Sequence, residues 1–203
     1  YNTNESEKIM ELALEKVESG LFFKNEIKIV GVGKLLKNKG FDRLLRIVKK
    51  LKTEGYPVHL YILGMGQEEH NLKQYVKENK MDMYVDFLGY KTNPYKYVAK
   101  CDLFVCASFA EGFSTAATEA LILGTPVCTV DVSGMREMLG DNNEYGIVTE
   151  NNEEALYQGI KKLLNDKELL KYYKKQAQYR GNRFETRTTV KAVEKMLMEC
   201  AEV

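Results

Sequence analysis

The chain has 203 residues, of which 44% are hydrophobic, and 30 Lys+Arg against 29 Asp+Glu leave a net charge of +1. That length makes one domain, able to bury roughly 70% of the surface its unfolded chain exposes without disulfides or a structural metal. The balanced charge excludes nucleic-acid binding driven by bulk electrostatics, no apolar run approaches the ~20 residues that cross a bilayer, and the first residues lack the basic-then-apolar pattern of a secretory signal.

In chain order, Ile9, Leu12, Ala13 and Val17 recur at helical spacing behind the cap candidates Asn4 and Ser6, and Gly20 stops that helix. Residues 1–24 are therefore assigned to an N-terminal helix. A β-branched apolar run over 27–32, ended by Gly33, predicts a buried strand. Phe41, Leu44, Leu45, Val48 and Leu51 then follow an amphipathic pattern, with Asp42, Arg43, Arg46, Lys49 and Lys50 assigned to the solvent side. The alternation repeats, with strands expected over 58–63, 85–88, 103–107, 127–130 and 146–148. Helices are expected over 68–77, 94–100, 115–123 and 135–139, and a helical tail over 153–164, 168–178 and 188–199. Strands joined by helices of this length need right-handed crossovers and a parallel sheet covered on both faces. The predicted fold class is α/β: a doubly wound, Rossmann-like parallel sheet of about six strands, a single domain over 1–203 with 152–203 as C-terminal helices.

Cys101, Cys106, Cys128 and Cys200 show no C-x-x-C spacing and read as reduced thiols of a cytoplasmic protein. Neither His59 nor His70 has a second histidine at ligand spacing, so no metal site is assigned.

In an open parallel sheet, ligands bind beyond the carboxyl ends of the strands, which nominates the loops 33–40, 64–69, 89–94, 108–115 and 131–137. The first presents Lys34, Lys37 and Lys39 between a strand end and a helix start, a setting that favours a polyanion. A solvated basic loop accounts for the same residues equally well. Neither Gly31-Val32-Gly33 nor Gly64-Met65-Gly66 has the third glycine of a dinucleotide fingerprint, which disfavours a Rossmann dehydrogenase. The fourth loop carries Glu111, then Gly112, where backbone and ligand approach closely, then Phe113, Ser114 and Thr115, whose N–H groups face an anion at a helix start. Glu119 sits in a helix otherwise built of Ala, Thr, Leu and Ile, where a carboxylate is costly unless hydrogen-bonded. A cap for Glu111 and an ion pair for Glu119 are the structural alternatives. Two carboxylates flanking an anion-binding helix start suit a phosphate between two hydroxylated groups, as in a nucleotide sugar.

Glu111-Gly112-Phe113-Ser114 followed by Glu119-Ala120 resembles the E-x7-E motif of retaining GT-B glycosyltransferases, in particular the glycosyltransferase family 4 group. Val30-Gly31-Val32-Gly33-Lys34-Leu35 with Lys39-Gly40-Phe41 resembles that group's V-G-R-L and K-G-F loop. Leu63-Gly64-Met65-Gly66, Phe87-Leu88-Gly89, Gly124-Thr125-Pro126-Val127 and Ser133-Gly134-Met135-Arg136-Glu137 resemble further elements in the group's order across 27–150. The resemblance implies the C-terminal, donor-binding half of a GT-B enzyme that transfers a sugar from a UDP-sugar, without a cofactor or metal and with retained anomeric configuration, in polysaccharide or glycolipid synthesis. Lys34 and Lys39, with Ser114 and Thr115, are then expected on the diphosphate, Gly33, Gly112 and Phe113 beside it, Glu111 on the donor sugar, Glu119 on the ribose, and Gly64 and Tyr90 at the base. Lysine at 34, where the group most often has arginine, keeps the charge but loses bidentate geometry. Tyr1-Asn2-Thr3-Asn4-Glu5 resembles the interdomain hinge, so the acceptor domain is expected outside this chain, leaving it inactive alone. The last helix, through Val190, Val193, Met196 and Leu197, is expected to reach back toward that domain. The expected partners are the nucleotide sugar, that domain and, for the full-length protein, the inner membrane surface, with no nucleic acid. A non-catalytic nucleotide-sugar-binding module is the alternative function.

Overall fold

A computed structural model describes residues 6–22 and 25–184. The hinge-like residues 1–5, the helix expected over 188–199 and Cys200 lie outside them. Six parallel strands, β1 (Ile27–Val32), β2 (Val58–Leu63), β3 (Val85–Gly89), β4 (Leu103–Cys106), β5 (Val127–Val130) and β6 (Ile147–Thr149), form one sheet in the order β3-β2-β1-β4-β5-β6. This is the doubly wound arrangement expected from the alternating pattern, and strand boundaries agree with the sequence reading to within a residue.

The period of two along the strands divides the core. Ile29, Leu60, Ile62, Leu103, Val105, Cys128 and Val130 face one way, against α2 (Phe41–Thr53), α3 (Glu69–Glu78) and α7 (Glu153–Asn165). Val30, Tyr61, Leu63, Phe104, Cys106 and Val127 face the other, against α4 (Tyr95–Val98), α5 (Thr115–Ile122) and α6 (Met135–Leu139). The last described helix, α8 (Lys167–Gly181), sends Tyr173 into the first cluster and Ala177 into the second. Asn152 and Asp166 cap α7 and α8 by accepting from Ala155 N–H (2.8 Å) and Leu169 N–H (2.9 Å). Cys101, Cys106 and Cys128 are free and buried; burial pushes the Cys101 and Cys128 thiols up, so they stay uncharged.

Two expectations fail. The first helix, α1 (Ser6–Ala13), does not run on to Gly20. The Leu12 carbonyl that would accept the next helical bond takes the side-chain amide of Asn93 instead (2.8 Å), and the Leu14 and Glu15 N–H groups close tighter turns on Glu11 and Leu12. Val17 reaches the second core cluster from the irregular segment that follows. The second failure is Arg43, assigned to the solvent side of α2: it is 2% exposed. Its position four before Ile47 and eight before Leu51 puts it on a buried ridge of the helix.

Candidate functional site

β1 and β4 are neighbours at the centre of the sheet, and the helices that follow them, α2 and α5, cover opposite faces. A crevice opens at such a switch point beyond the strand ends. The loops 33–40 and 107–114 line it, and they are stapled together. Gly40, in the left-handed region (φ 65°), starts α2 where any side chain would run into the Ala107 carbonyl. Phe109 N–H donates to the Asn38 carbonyl (2.8 Å).

Lys39 and Glu111 meet across this staple. The Lys39 ammonium reaches both carboxylate oxygens, at 2.8 and 2.7 Å, and the Ser108 hydroxyl donates to Glu111 Oε1 at 2.6 Å. The Glu111 side chain is 9% exposed. A small cavity of about 20 Å³, lined by Lys39, Cys106, Ser108, Glu111 and Ser114 among others, lies beside the pair. Beyond it α5 begins. Ser114 caps the helix by accepting from Ala117 N–H at 3.3 Å, and the N–H groups of residues 110–114 have no acceptor among the described residues. Consecutive free N–H groups at a helix start, with a lysine alongside, are a setting that favours an anion. Gly112 faces open space, so no protein atom demands a glycine there, and the Phe113 ring, 38% exposed, lies where a side chain on Gly134 would meet it at 3.0 Å.

A second, larger cleft of about 460 Å³ adjoins at Val32 and spreads over the ends of β1, β2 and β3, bordered by Gly33, Lys34, Gly64, Met65, Tyr90, Lys91 and Pro94. Gly64 (φ 139°) packs directly on the Gly33 backbone, where no side chain fits. Tyr90 is 66% exposed at its edge. Lys34 is exposed and no ion pair or hydrogen bond holds its ammonium among the described residues, in contrast to Lys39.

The predicted residues thus fall into groups: Gly33, Lys34, Gly64 and Tyr90 around the larger cleft, Lys39, Glu111 and Ser114 around the smaller one, and Gly112, Phe113 and Thr115 on the loop and helix start between. Glu119 stands apart, on the second turn of α5 and lining neither space; Tyr95 of α4 donates its hydroxyl to Glu119 Oε1 at 3.3 Å. Burial raises the Glu119 pKa, and the Tyr95 hydrogen bond opposes that in part. The ion pair that sequence reasoning offered as its structural role is absent among the described residues.

Sequence reasoning missed Arg43 and Asn151. Arg43 donates from Nε to the Ala107 carbonyl (2.5 Å) and from Nη2 to the Ser108 carbonyl (2.7 Å) and Asn151 Oδ1 (2.9 Å), with its guanidinium 4.3 Å from the Phe109 ring centre. Asn151 Nδ2 donates to the Phe109 carbonyl at 3.1 Å. A charged residue in register with Ile47 and Leu51 was the available signal for Arg43; nothing local marks Asn151. Among the described residues no group of three or more His, Cys, Asp or Glu is placed to hold a metal ion, and no helix is long and apolar enough to cross a membrane. His59 instead lies buried in β2 between Glu26 (2.9 Å) and Asp86 (2.8 Å), in ring contact with Tyr61.

This is a Rossmann-like, doubly wound architecture with open N–H groups and a lysine at its switch point, and its kinship is defined. Residues 14–180 match the family described as "Glycosyl transferases group 1", and the chain belongs to that family. It is 39% identical over 187 residues to the N-acetylgalactosamine-N,N'-diacetylbacillosaminyl-diphospho-undecaprenol 4-alpha-N-acetylgalactosaminyltransferase of Campylobacter jejuni, covering 91% of this chain and 49% of that protein. It is 28% identical to the capsular polysaccharide biosynthesis glycosyltransferase CapM of Staphylococcus aureus, over 71% of this chain and 39% of the relative. The chain thus spans half or less of the length of these relatives. Among solved structures, Anabaena Alr3699/HepE in complex with UDP superposes with a TM-score of 0.76 at 21% identity, over 86% of this chain and 49% of that one. S. aureus TarM, solved as a mutant in complex with Fondaparinux, alpha-GlcNAc-glycerol and UDP, gives 0.74 at 23%, over 91% and 37%. The fold is that of one Rossmann-like half of a GT-B glycosyltransferase.

Proposed function

We propose that this chain is the donor-binding half of a retaining glycosyltransferase, taking a UDP-sugar and passing the sugar to an acceptor held by an N-terminal domain outside this chain. The observation that carries the reading is the junction of Lys39, Glu111 and the open N-terminus of α5 at the switch point, beside a cleft of about 460 Å³. In this reading the diphosphate lies over the start of α5, held by its N–H groups, by Lys34 and by Lys39. The base enters the larger cleft at Gly64 and Tyr90, Glu119 takes the ribose hydroxyls, and Glu111 takes hydroxyls of the sugar.

Lys39 serves two partners in turn. Paired with Glu111, it turns to the phosphate when the donor binds, and Glu111, still held by Ser108, gains a free oxygen for a sugar hydroxyl. Catalysis is then electrostatic: the departing diphosphate gains charge, and fixed cations and N–H groups stabilise it without reorganising. These groups supply the neutralisation that a divalent ion supplies elsewhere, so the reading calls for no metal. Glu111 positions the sugar and is not assigned as a covalent nucleophile. The names of the Campylobacter and CapM relatives support envelope glycan or lipid-linked substrates and an N-acetylgalactosamine donor, so UDP-N-acetylgalactosamine is the first to test; a cytoplasmic location at the inner membrane face completes the proposal.

UDP and UDP-N-acetylgalactosamine are expected to raise the melting temperature of the chain, and Lys39→Ala and Glu119→Ala to remove the rise. No shift with any nucleoside diphosphate sinks the reading. The chain alone is expected to show no transfer; turnover without an acceptor domain contradicts that part.

A further inference from the structure

A buried guanidinium is an expensive way to pack a helix on a sheet. Arg43 has no carboxylate within ion-pair distance among the described residues, so the groups in contact with its charge are neutral oxygens and the Phe109 ring. Between Ile47 and the strand ends a leucine or methionine would serve packing alone. What the arginine does that neither can is reach two successive carbonyls of a loop, Ala107 and Ser108, with one planar fork. Asn151, arriving from the other side between β6 and α7, takes the third carbonyl, Phe109, and accepts from the same guanidinium. The Phe109 N–H is already engaged by Asn38. Every carbonyl of residues 107–109 is therefore held by a side chain from elsewhere in the fold, while the N–H groups of the next five residues are left open. Glu111 hangs from this fixed segment two residues on.

We infer that Arg43 and Asn151 are positioning residues, a two-part clamp that sets residues 107–109 so that Glu111 is delivered to the donor sugar. The inference rests on the donor-binding reading above and adds to it the parts that aim the carboxylate. Neither side chain touches donor; both act through the loop.

Asn151→Asp separates this role from simple bracing. The new carboxylate keeps an oxygen for Arg43 and adds the missing counter-charge, which favours the fold, but its second oxygen opposes the Phe109 carbonyl. Calorimetric titration of the chain with UDP, then with UDP-N-acetylgalactosamine, UDP-N-acetylglucosamine, UDP-glucose and UDP-galactose, gives the gain in affinity that the best sugar adds over UDP. In Asn151→Asp that gain is expected to fall at least fivefold, with the UDP Kd within twofold of the parent's and a melting temperature no lower. Asn151→Ala and Arg43→Lys are expected to lose the gain too, and exchange of the Phe109 amide hydrogen to quicken in all three. An unchanged sugar gain in Asn151→Asp and Asn151→Ala overturns the clamp, as does an equal loss for UDP and UDP-sugar, which marks a general bracing role. If the parent binds UDP and no sugar adds affinity, Glu111 holds no sugar and the clamp falls while donor binding stands. If it binds none of them, the donor-binding reading itself falls.

Discussion

Replacing Glu111 by glutamine should make the chain bind UDP more tightly, although the residue belongs to the proposed binding site. The sign follows from the geometry of the pair: Lys39 is held, at 2.7 Å, by a carboxylate that must release it before a phosphate can be gripped. The pair is partly shielded, with 9% of the Glu111 side chain and 26% of Lys39 exposed. At an effective dielectric near 20, charges in contact attract by several kcal/mol, but desolvating and ordering both side chains cancels most of it. Pairs open to water retain at most about 1 kcal/mol net, and we take that figure here. Glutamine keeps the shape and the Ser108 bond while removing the competitor and its repulsion of the diphosphate. A gain of about 1 kcal/mol is about fivefold in Kd. The same substitution removes the pair from the fold, so the melting temperature should fall by about 2–4 °C in a domain of this size. Isothermal titration with UDP across 50–300 mM salt, together with thermal melts, reads both effects, and Lys39→Met combined with Glu111→Gln completes a double-mutant cycle. If Glu111→Gln weakens UDP as Lys39→Met does, the competition for Lys39 does not exist and the Lys39–Glu111 pair has no bearing on binding.

Glu119→Gln should stabilise the chain at neutral pH, because burial raises the carboxyl's pKa and its charged form costs the fold. A raised folded-state pKa contributes stability below the unfolded value that is lost as pH rises through the folded one, so the advantage of glutamine in urea melts should shrink toward pH 4; an advantage that grows on acidification refutes the assignment. UDP affinity should move oppositely in the parent chain, strengthening as pH rises and Glu119 ionises, and Glu119→Gln should abolish that Glu119-dependent part of the change. Gly40→Ala should cost about 2 kcal/mol or more, since alanine at φ 65° is strained and its methyl meets the Ala107 carbonyl; a melt within 1 °C of the parent would show that the two loops are not stapled. Ser114→Ala removes a cap at the anion site and should cost about 1 kcal/mol, with UDP affinity falling as the start of α5 frays.

The fold was legible because both of its periodicities are undisturbed. Val30 and Ile29, or Phe104 and Val105, enter opposite cores from adjacent positions, and such continuous apolar strands between amphipathic helices leave a covered parallel sheet as the consistent packing. The loops at the strand ends followed from topology alone. What was not legible was decided by contacts across the chain. Nothing in residues 6–20 announces that Asn93, some 80 positions away, takes the Leu12 carbonyl and ends α1 early.

The same distinction separates the legible half of the site from the illegible half. Lys34, Lys39, Glu111 and Glu119 stood out because each is a charge in a setting with a local reason to be neutral or solvated, a helix start or an apolar helix. Arg43 stood in a helix where charge is ordinary, amid Asp42 and Arg46, and only the register of Ile47 and Leu51 placed it inward. Its partners are main-chain carbonyls, which every residue has, so no sequence pattern names them. Asn151 reaches the Phe109 carbonyl across 42 positions and closes on a side chain 108 positions away. Groups that meet a ligand are constrained by the ligand's chemistry and therefore repeat as types; groups that aim them are constrained by the local path of one loop and need only a donor at the right place. The proposed donor site is thus read from sequence as a set of charges, and its aim has to be read from the hydrogen bonds behind them.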